Sequence, residues 1–156
     1  MLDRIDRKIL ESLQEDATIP IVDLSEAVGL SQTPCWRRVK KLEESGVIAK
    51  RVALLDRKLI NVPTTVFLAI KVPRHEKAWL DTFRTIIGQI PEIMEAYRLT
   101  GDIDYLIRLV LPSVEAYDDI YRQLISRLDF AGLSASISME VIKYTTAVPL
   151  RYAGSQ

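Results

Sequence analysis

The chain has 156 residues, 48% of them hydrophobic, with 21 basic side chains against 21 acidic ones. That composition suits one or two small packed domains and excludes general disorder, while a net charge of zero names no partner by itself. Cys35 and His75 are each the single residue of their kind, which excludes an intrachain disulfide and a multi-cysteine metal site; with no apolar run near about 18 residues and no N-terminal signal pattern, a cytoplasmic location and no membrane partner are expected.

Leu2, Ile5, Ile9 and Leu13 recur at three- and four-residue steps, with Leu10 widening the stripe. They predict a first amphipathic helix, capped at Asp3 or a neighbour and broken by residues 16–18 and Pro20. Val22, Leu24, Ala27 and Val28 give a second helix its inner face, and Gly29 supplies the turn. Ser31 or Thr33 can cap a third helix, whose first turn tolerates Pro34. Trp36, Val39 and Leu42 are assigned to its inner face, and Cys35 to a small packed position at its start. Arg37, Arg38, Lys40 and Lys41 take the outer side, and Gly46 closes the helix. Val47-Ile48 and residues 51–55 read as strands. Three short helices followed by such a pair predict a winged helix-turn-helix over residues 1–55.

Residues 56–63 read as a linker. Beyond them the pattern alternates. Residues 64–72, 93–100, 105–111 and 134–144 read as strands, and residues 77–89 and 113–128 as helices with apolar faces. The order β-α-β-β-α-β over residues 64–145 is a ferredoxin-like unit, so the predicted class is α+β. Residues 146–156 read as a C-terminal tail.

Residues 37–51 hold Arg37, Arg38, Lys40, Lys41, Lys50 and Arg51 against Glu43 and Glu44. A local excess of that size attracts phosphate without making the whole chain basic. The N-terminal part of a second helix in this motif reads base edges, which points to Gln32, Thr33 and Arg37. Arg pairs bidentately with guanine and Gln with adenine, while Arg38 and Lys41 are expected to hold phosphates. The competing reading is an ordinary solvated basic helix face. In the second unit, Thr100-Gly101-Asp102-Ile103-Asp104-Tyr105 must reverse the chain, which is enough to explain the glycine. The same turn can also present free N–H groups to a carboxylate, with Asp104 or Asp102 to hold an ammonium. No catalytic residues, metal ligands or cofactor are expected, because no glycine-rich phosphate loop, metal spacing or nucleophile–histidine arrangement occurs.

The segments LDRIDRKILESLQEDATI, DLSEAVGLSQTPCWRRVKKLEESGVI and RVALLD resemble the N-terminal half of the Lrp/AsnC family of bacterial regulators. RLTGDIDYLIRL and MEVIKYTTAVPL resemble its C-terminal effector domain. TPCW, VALLD and IKYTT are similar to the branch containing a cysteine-responsive regulator. The resemblance implies a transcriptional regulator that binds double-stranded DNA through Ser31, Gln32, Thr33, Pro34, Arg37, Arg38 and Lys41. It implies a homodimer that pairs its sheets and can close into an octamer. It also implies a small effector, usually an amino acid, at Leu99, Thr100, Gly101, Asp102, Asp104 and Tyr105, with Ile137 and Ser138 from the last strand. Arg98 and Ser138 stand where leucine-responsive members carry apolar residues, so a small or polar effector side chain is expected. Arg57 stands where many members have proline. Two rivals remain: an architectural DNA-binding protein without an effector, and an enzyme on the same scaffold resembling sirohaem decarboxylases. Histidines, which such an enzyme would want, are confined to His75.

Overall fold

The computed structural model describes residues 2–153, which divide into two compact units, residues 2–54 with 143–153 and residues 55–142.

The first unit holds α1 (Arg4–Glu15), α2 (Ile21–Val28) and α3 (Gln32–Glu44). Asp3 caps α1 in a reciprocal box: its side chain accepts from the Asp6 N–H, and the Asp6 side chain accepts from the Asp3 N–H. Gly29 ends α2 at φ 75°, the left-handed conformation that lets the chain turn into α3. Ile9, Leu10, Leu24, Val28, Cys35, Val39 and Leu42 meet in one core.

Two expectations fail in this unit. The first is the strand pair after α3. The Ile48 N–H donates to the Leu42 carbonyl, so Val47-Ile48 finish the helix instead of opening a strand. Residues 49–56 run without a ladder partner among the described residues, leaving Val52, Leu54 and Leu55 exposed. The second concerns the residues after 145, which read as a tail but are joined to this unit. Gln14 donates from Nε2 to the Val148 carbonyl at 3.2 Å and accepts the Val148 N–H at 2.7 Å. Leu150, in a 3-10 turn at Leu150–Tyr152, packs against the three-helix core. These contacts tie the segment after residue 146 to α1, and no periodicity within it could have announced them.

The second unit is one antiparallel sheet of β1 (Thr64–Lys71), β2 (Ile93–Arg98), β3 (Tyr105–Leu111) and β4 (Gly132–Ile137), in the order β2-β3-β1-β4. With α4 (Lys77–Gln89) and α5 (Tyr117–Ile125), it is the ferredoxin-like βαββαβ arrangement. Val66, Leu68 and Ile70 of β1 and Tyr105, Ile107 and Leu109 of β3 alternate inward. There they pack with Phe83 and Ile86 of α4 and Ile120 and Leu124 of α5. The opposite alternation, Phe67 and Ala69 with Leu106 and Arg108, faces away from both helices.

β4 is shorter than the alternation over 134–144 suggests. Its last bond to β1 is from the Ser138 N–H to the Thr65 carbonyl, and β1 itself begins at Thr64. α5 starts later than residue 113 because Tyr117 and Asp118 donate to Val114 and Glu115, three residues back, as in a turn.

Candidate nucleic-acid interface and effector loop

The inner face of α3 is narrow. Cys35, Val39 and Leu42 fill it, and Cys35 is fully buried, with burial pushing its thiol pKa up. That is the packed role expected of it rather than a reactive one. Trp36 is a correction to the sequence reading. It lies about 100° round the helix from Cys35, and its indole is left at the rim, 52% exposed. The ammonium of Lys40 sits over its ring, 5.2 Å from the centroid.

On the outer side, Ser31, Gln32, Thr33, Pro34, Arg37, Lys40 and Lys41 are all exposed. Ser31 occupies the N-cap position without a side-chain cap bond. Arg38 departs from its assignment to phosphate. Its Nη1 lies 2.6 Å from the Asp3 carboxylate and 2.7 Å from that of Asp6, closing α3 onto the capping box of α1. Those bonds raise the guanidinium pKa. The Asp3 carboxyl is held below the usual range, first by the Asp6 N–H and then by Arg38. Arg51 is likewise engaged, donating to Glu43 at 3.0 Å and to the Ala17 carbonyl at 2.8 Å. Of the basic run, Arg37, Lys40, Lys41 and Lys50 therefore carry the outward charge; among these, Lys40 has a long 3.8 Å approach to Glu44.

The loop between β2 and β3 turns at Gly101, φ 118°, a backbone conformation that L side chains rarely adopt. Leu99 donates its N–H to the Asp104 carbonyl, and Asp104 donates its own to Ile70. The Asp104 carboxylate accepts the Val72 N–H at 2.8 Å, with His75 Nε2 3.4 Å from its other oxygen. Asp104, one of the two carboxylates expected to hold an ammonium, is thus engaged in holding the loop against β1. Tyr105 is also withdrawn from the loop surface. Its ring lies buried 4.7 Å from Phe83 and 5.7 Å from Trp79. Arg98, Leu99, Thr100, Gly101 and Asp102 stay exposed.

Ile137 and Ser138 do not join them within one chain. Ile137 pairs with Val66, near the start of β1, while Asp104 bonds to Ile70 at its other end. At 3.3 Å per residue the two rows are roughly 13 Å apart, and β4 and β2 are opposite edges of the sheet. The expected effector set is therefore split. The alternation of strands gave no signal of this, because it does not reveal strand order. The partnership of His75 with Asp104 was equally invisible, since the two are separated by a helix and a strand.

Residues 65–148 match the Lrp/AsnC ligand binding domain, and residues 2–49 match a winged helix-turn-helix DNA-binding domain. The glutamate uptake regulatory protein of Zymomonas mobilis is 48% identical over 96% of this chain and 91% of its own length. The crystal structure of an AsnC family transcriptional regulator from Agrobacterium tumefaciens superposes with a TM-score of 0.94 at 49% identity, covering 97% of this chain and 99% of that one. A transcriptional regulator of Neisseria meningitidis, solved as a complex with L-Met, gives 0.92 at 33% identity over the same shares. A three-helix unit with a basic, exposed α3, followed by a βαββαβ unit matched along its length, makes this chain a member of the Lrp/AsnC family of DNA-binding transcriptional regulators.

Proposed function

We propose that the regulator senses a free amino acid with a small or polar side chain, bound where copies of the chain meet. The split of the effector set carries this reading. The exposed loop of Arg98, Leu99, Thr100, Gly101 and Asp102 and the strand end at Ile137 and Ser138 lie too far apart to share one ligand within a subunit. A second copy can supply the missing half. Backbone N–H groups of the Gly101 turn suit a carboxylate, and Asp102, exposed, takes over from Asp104 as the candidate for the ammonium. Arg98 and the Ser138 hydroxyl favour a polar side chain. That a similar protein was crystallised with L-Met supports an amino acid as the class.

In this reading the working unit is a homodimer, and dimers close into an octamer. Gln32, Thr33 and Arg37 of each subunit meet base edges, and Ser31, Pro34 and Lys41 lie against the phosphates. Arg38 serves the fold instead. The effector acts by binding one assembly more tightly than another, since equal affinity for both would shift nothing.

Thermal unfolding in the presence of each free amino acid tests the proposal, because a ligand that binds the folded form raises apparent stability. The largest rise is expected from serine, cysteine or another small polar amino acid. A larger rise with leucine overturns the specificity. No rise with any of them favours an architectural DNA-binding protein.

A further inference from the structure

A single exposed aromatic side chain is ordinary on a protein surface, but the placement of Trp36 is not neutral. It stands in the second turn of α3, beside Arg37, on the helix that reads DNA. It also borders a recess of about 360 Å³, lined by Leu13 of α1, Ile19, Ile21 and Leu24 of the segment entering and forming α2, and by Lys40 and the paired Glu43 and Arg51. Trp36 and Lys40 thus border the seam between the two helices of the motif. In a helix-turn-helix the second helix enters the major groove while the first crosses the backbone, so a sugar–phosphate strand runs along that seam.

Two further observations point outward from the same spot. Trp79 donates its Nε1–H to the Asp129 carbonyl at 2.9 Å, whereas the Trp36 Nε1–H has no acceptor among the described residues. An indole N–H can donate and never accept. The Lys40 ammonium lies over the indole ring, 5.2 Å from its centroid. An apolar plate, an unused donor and a cation at one place match deoxyribose, phosphate oxygen and phosphate charge.

We propose that Trp36 and Lys40 form a seat for the DNA backbone: the indole plane packs on a deoxyribose, and its N–H and the Lys40 ammonium hold the adjoining phosphate. Both are positioning residues. They fix how deeply α3 enters the groove and leave base choice to Arg37 and its neighbours.

The test uses the full-length protein, a random-sequence duplex, and the tightest duplex recovered by selection from a random pool. Trp36→Ala should weaken binding to both by a similar factor, about ten-fold, in line with aromatic contacts to nucleic acid. Lys40→Met should weaken both and lower the salt slope by about one. Tryptophan emission should change when either duplex is added to the unaltered protein. In Trp36→Phe, which retains Trp79 as an internal blank, that change should vanish. Three results would each overturn the assignment: the full emission change persisting in Trp36→Phe, affinities for Trp36→Ala within two-fold of the parent, or a loss confined to the selected duplex. The last would make Trp36 a base reader. Since Trp36 is half outside, both variants should unfold within a few degrees of the parent, and the emission experiment stands even where alanine lowers stability.

Discussion

Arg38 places Nη1 2.6 Å from Asp3 and 2.7 Å from Asp6, while Arg37, the preceding residue, is exposed on the outer side of α3. One step along a helix rotates a side chain by about 100°, enough to separate an exposed cation from a clamp within the domain. Arg37→Ala should therefore cost ~1–3 kcal/mol of binding to the selected duplex, and much less on random sequence. Equal losses on both would remove it from base reading. Arg38→Ala should lower the unfolding temperature by a few degrees, because the pair is partly exposed and screened. It should leave the salt slope of DNA binding unchanged; a slope reduced by about one would show that Arg38 leaves the clamp for phosphate. The same clamp gives a pH signature. Asp3 has its pKa depressed in the folded state, by the Asp6 N–H first and Arg38 second. A depressed carboxyl contributes stability that is present above its ordinary range, near pH 4, and is lost as pH falls through the folded value. Acid titration of the unfolding temperature should show this loss in the parent and a shallower one in Arg38→Ala. Identical acid limbs would mean that Arg38 contributes nothing to the shift.

Among the elements, the loop after β2 carries the clearest consequence. Asp104 accepts the Val72 N–H, and this bond needs an acceptor rather than a charge. Asp104→Asn should therefore keep the loop against β1 and preserve the thermal shift given by the best amino acid. Asp104→Ala, which leaves the Val72 N–H without its acceptor, should reduce the shift and cost about 1–3 kcal/mol of stability. A response abolished equally by asparagine would show that the charge itself meets the ligand. The same elements show what sequence could convey. The stripes in α1 and α3, the Asp3 cap, the Gly29 and Gly101 turns and the βαββαβ order were all legible, because each is written in local spacing. Trp36 was not, since spacing gives an angle around a helix but not the width of the face that must accept it. β4 was overread because a strand ends where its partner does, and Thr64 lies some seventy residues before it. The Gln14–Val148 contact and the separation of Ser138 from Gly101 are properties of long-range topology, which one-dimensional periodicity does not encode.

At the scale of the whole molecule, the sheet of residues 55–142 is covered by α4 and α5 on one side, while Phe67, Ala69 and Leu106 lie partly exposed on the other. A sheet with apolar residues on both faces is stable in water when each face has a cover. Arg108 and Glu95 lie on the uncovered face, paired at 2.7 Å, which draws the Glu95 pKa down. An ion pair satisfied within the subunit is compatible with burial against another copy, because neither charge enters the interface alone. The proposed homodimer would use this face, and the two recognition helices would then reach half-sites on successive turns of DNA. Leu106→Asp tests it. Leu106 lies between Ala69 and Tyr97 in the ladder, outside the helix-side core, so the fold should survive as judged by circular dichroism. An unpaired carboxylate in an apolar interface is costly. Sedimentation should accordingly find monomers at concentrations where the parent is dimeric, and affinity for the selected duplex should drop by at least about ten-fold, as two linked binding events become one. If Leu106→Asp stays dimeric with unchanged affinity, the subunits associate through another surface. The split between the Gly101 loop and Ser138 would then have to be closed by contacts along the edges of the sheet instead of across its face.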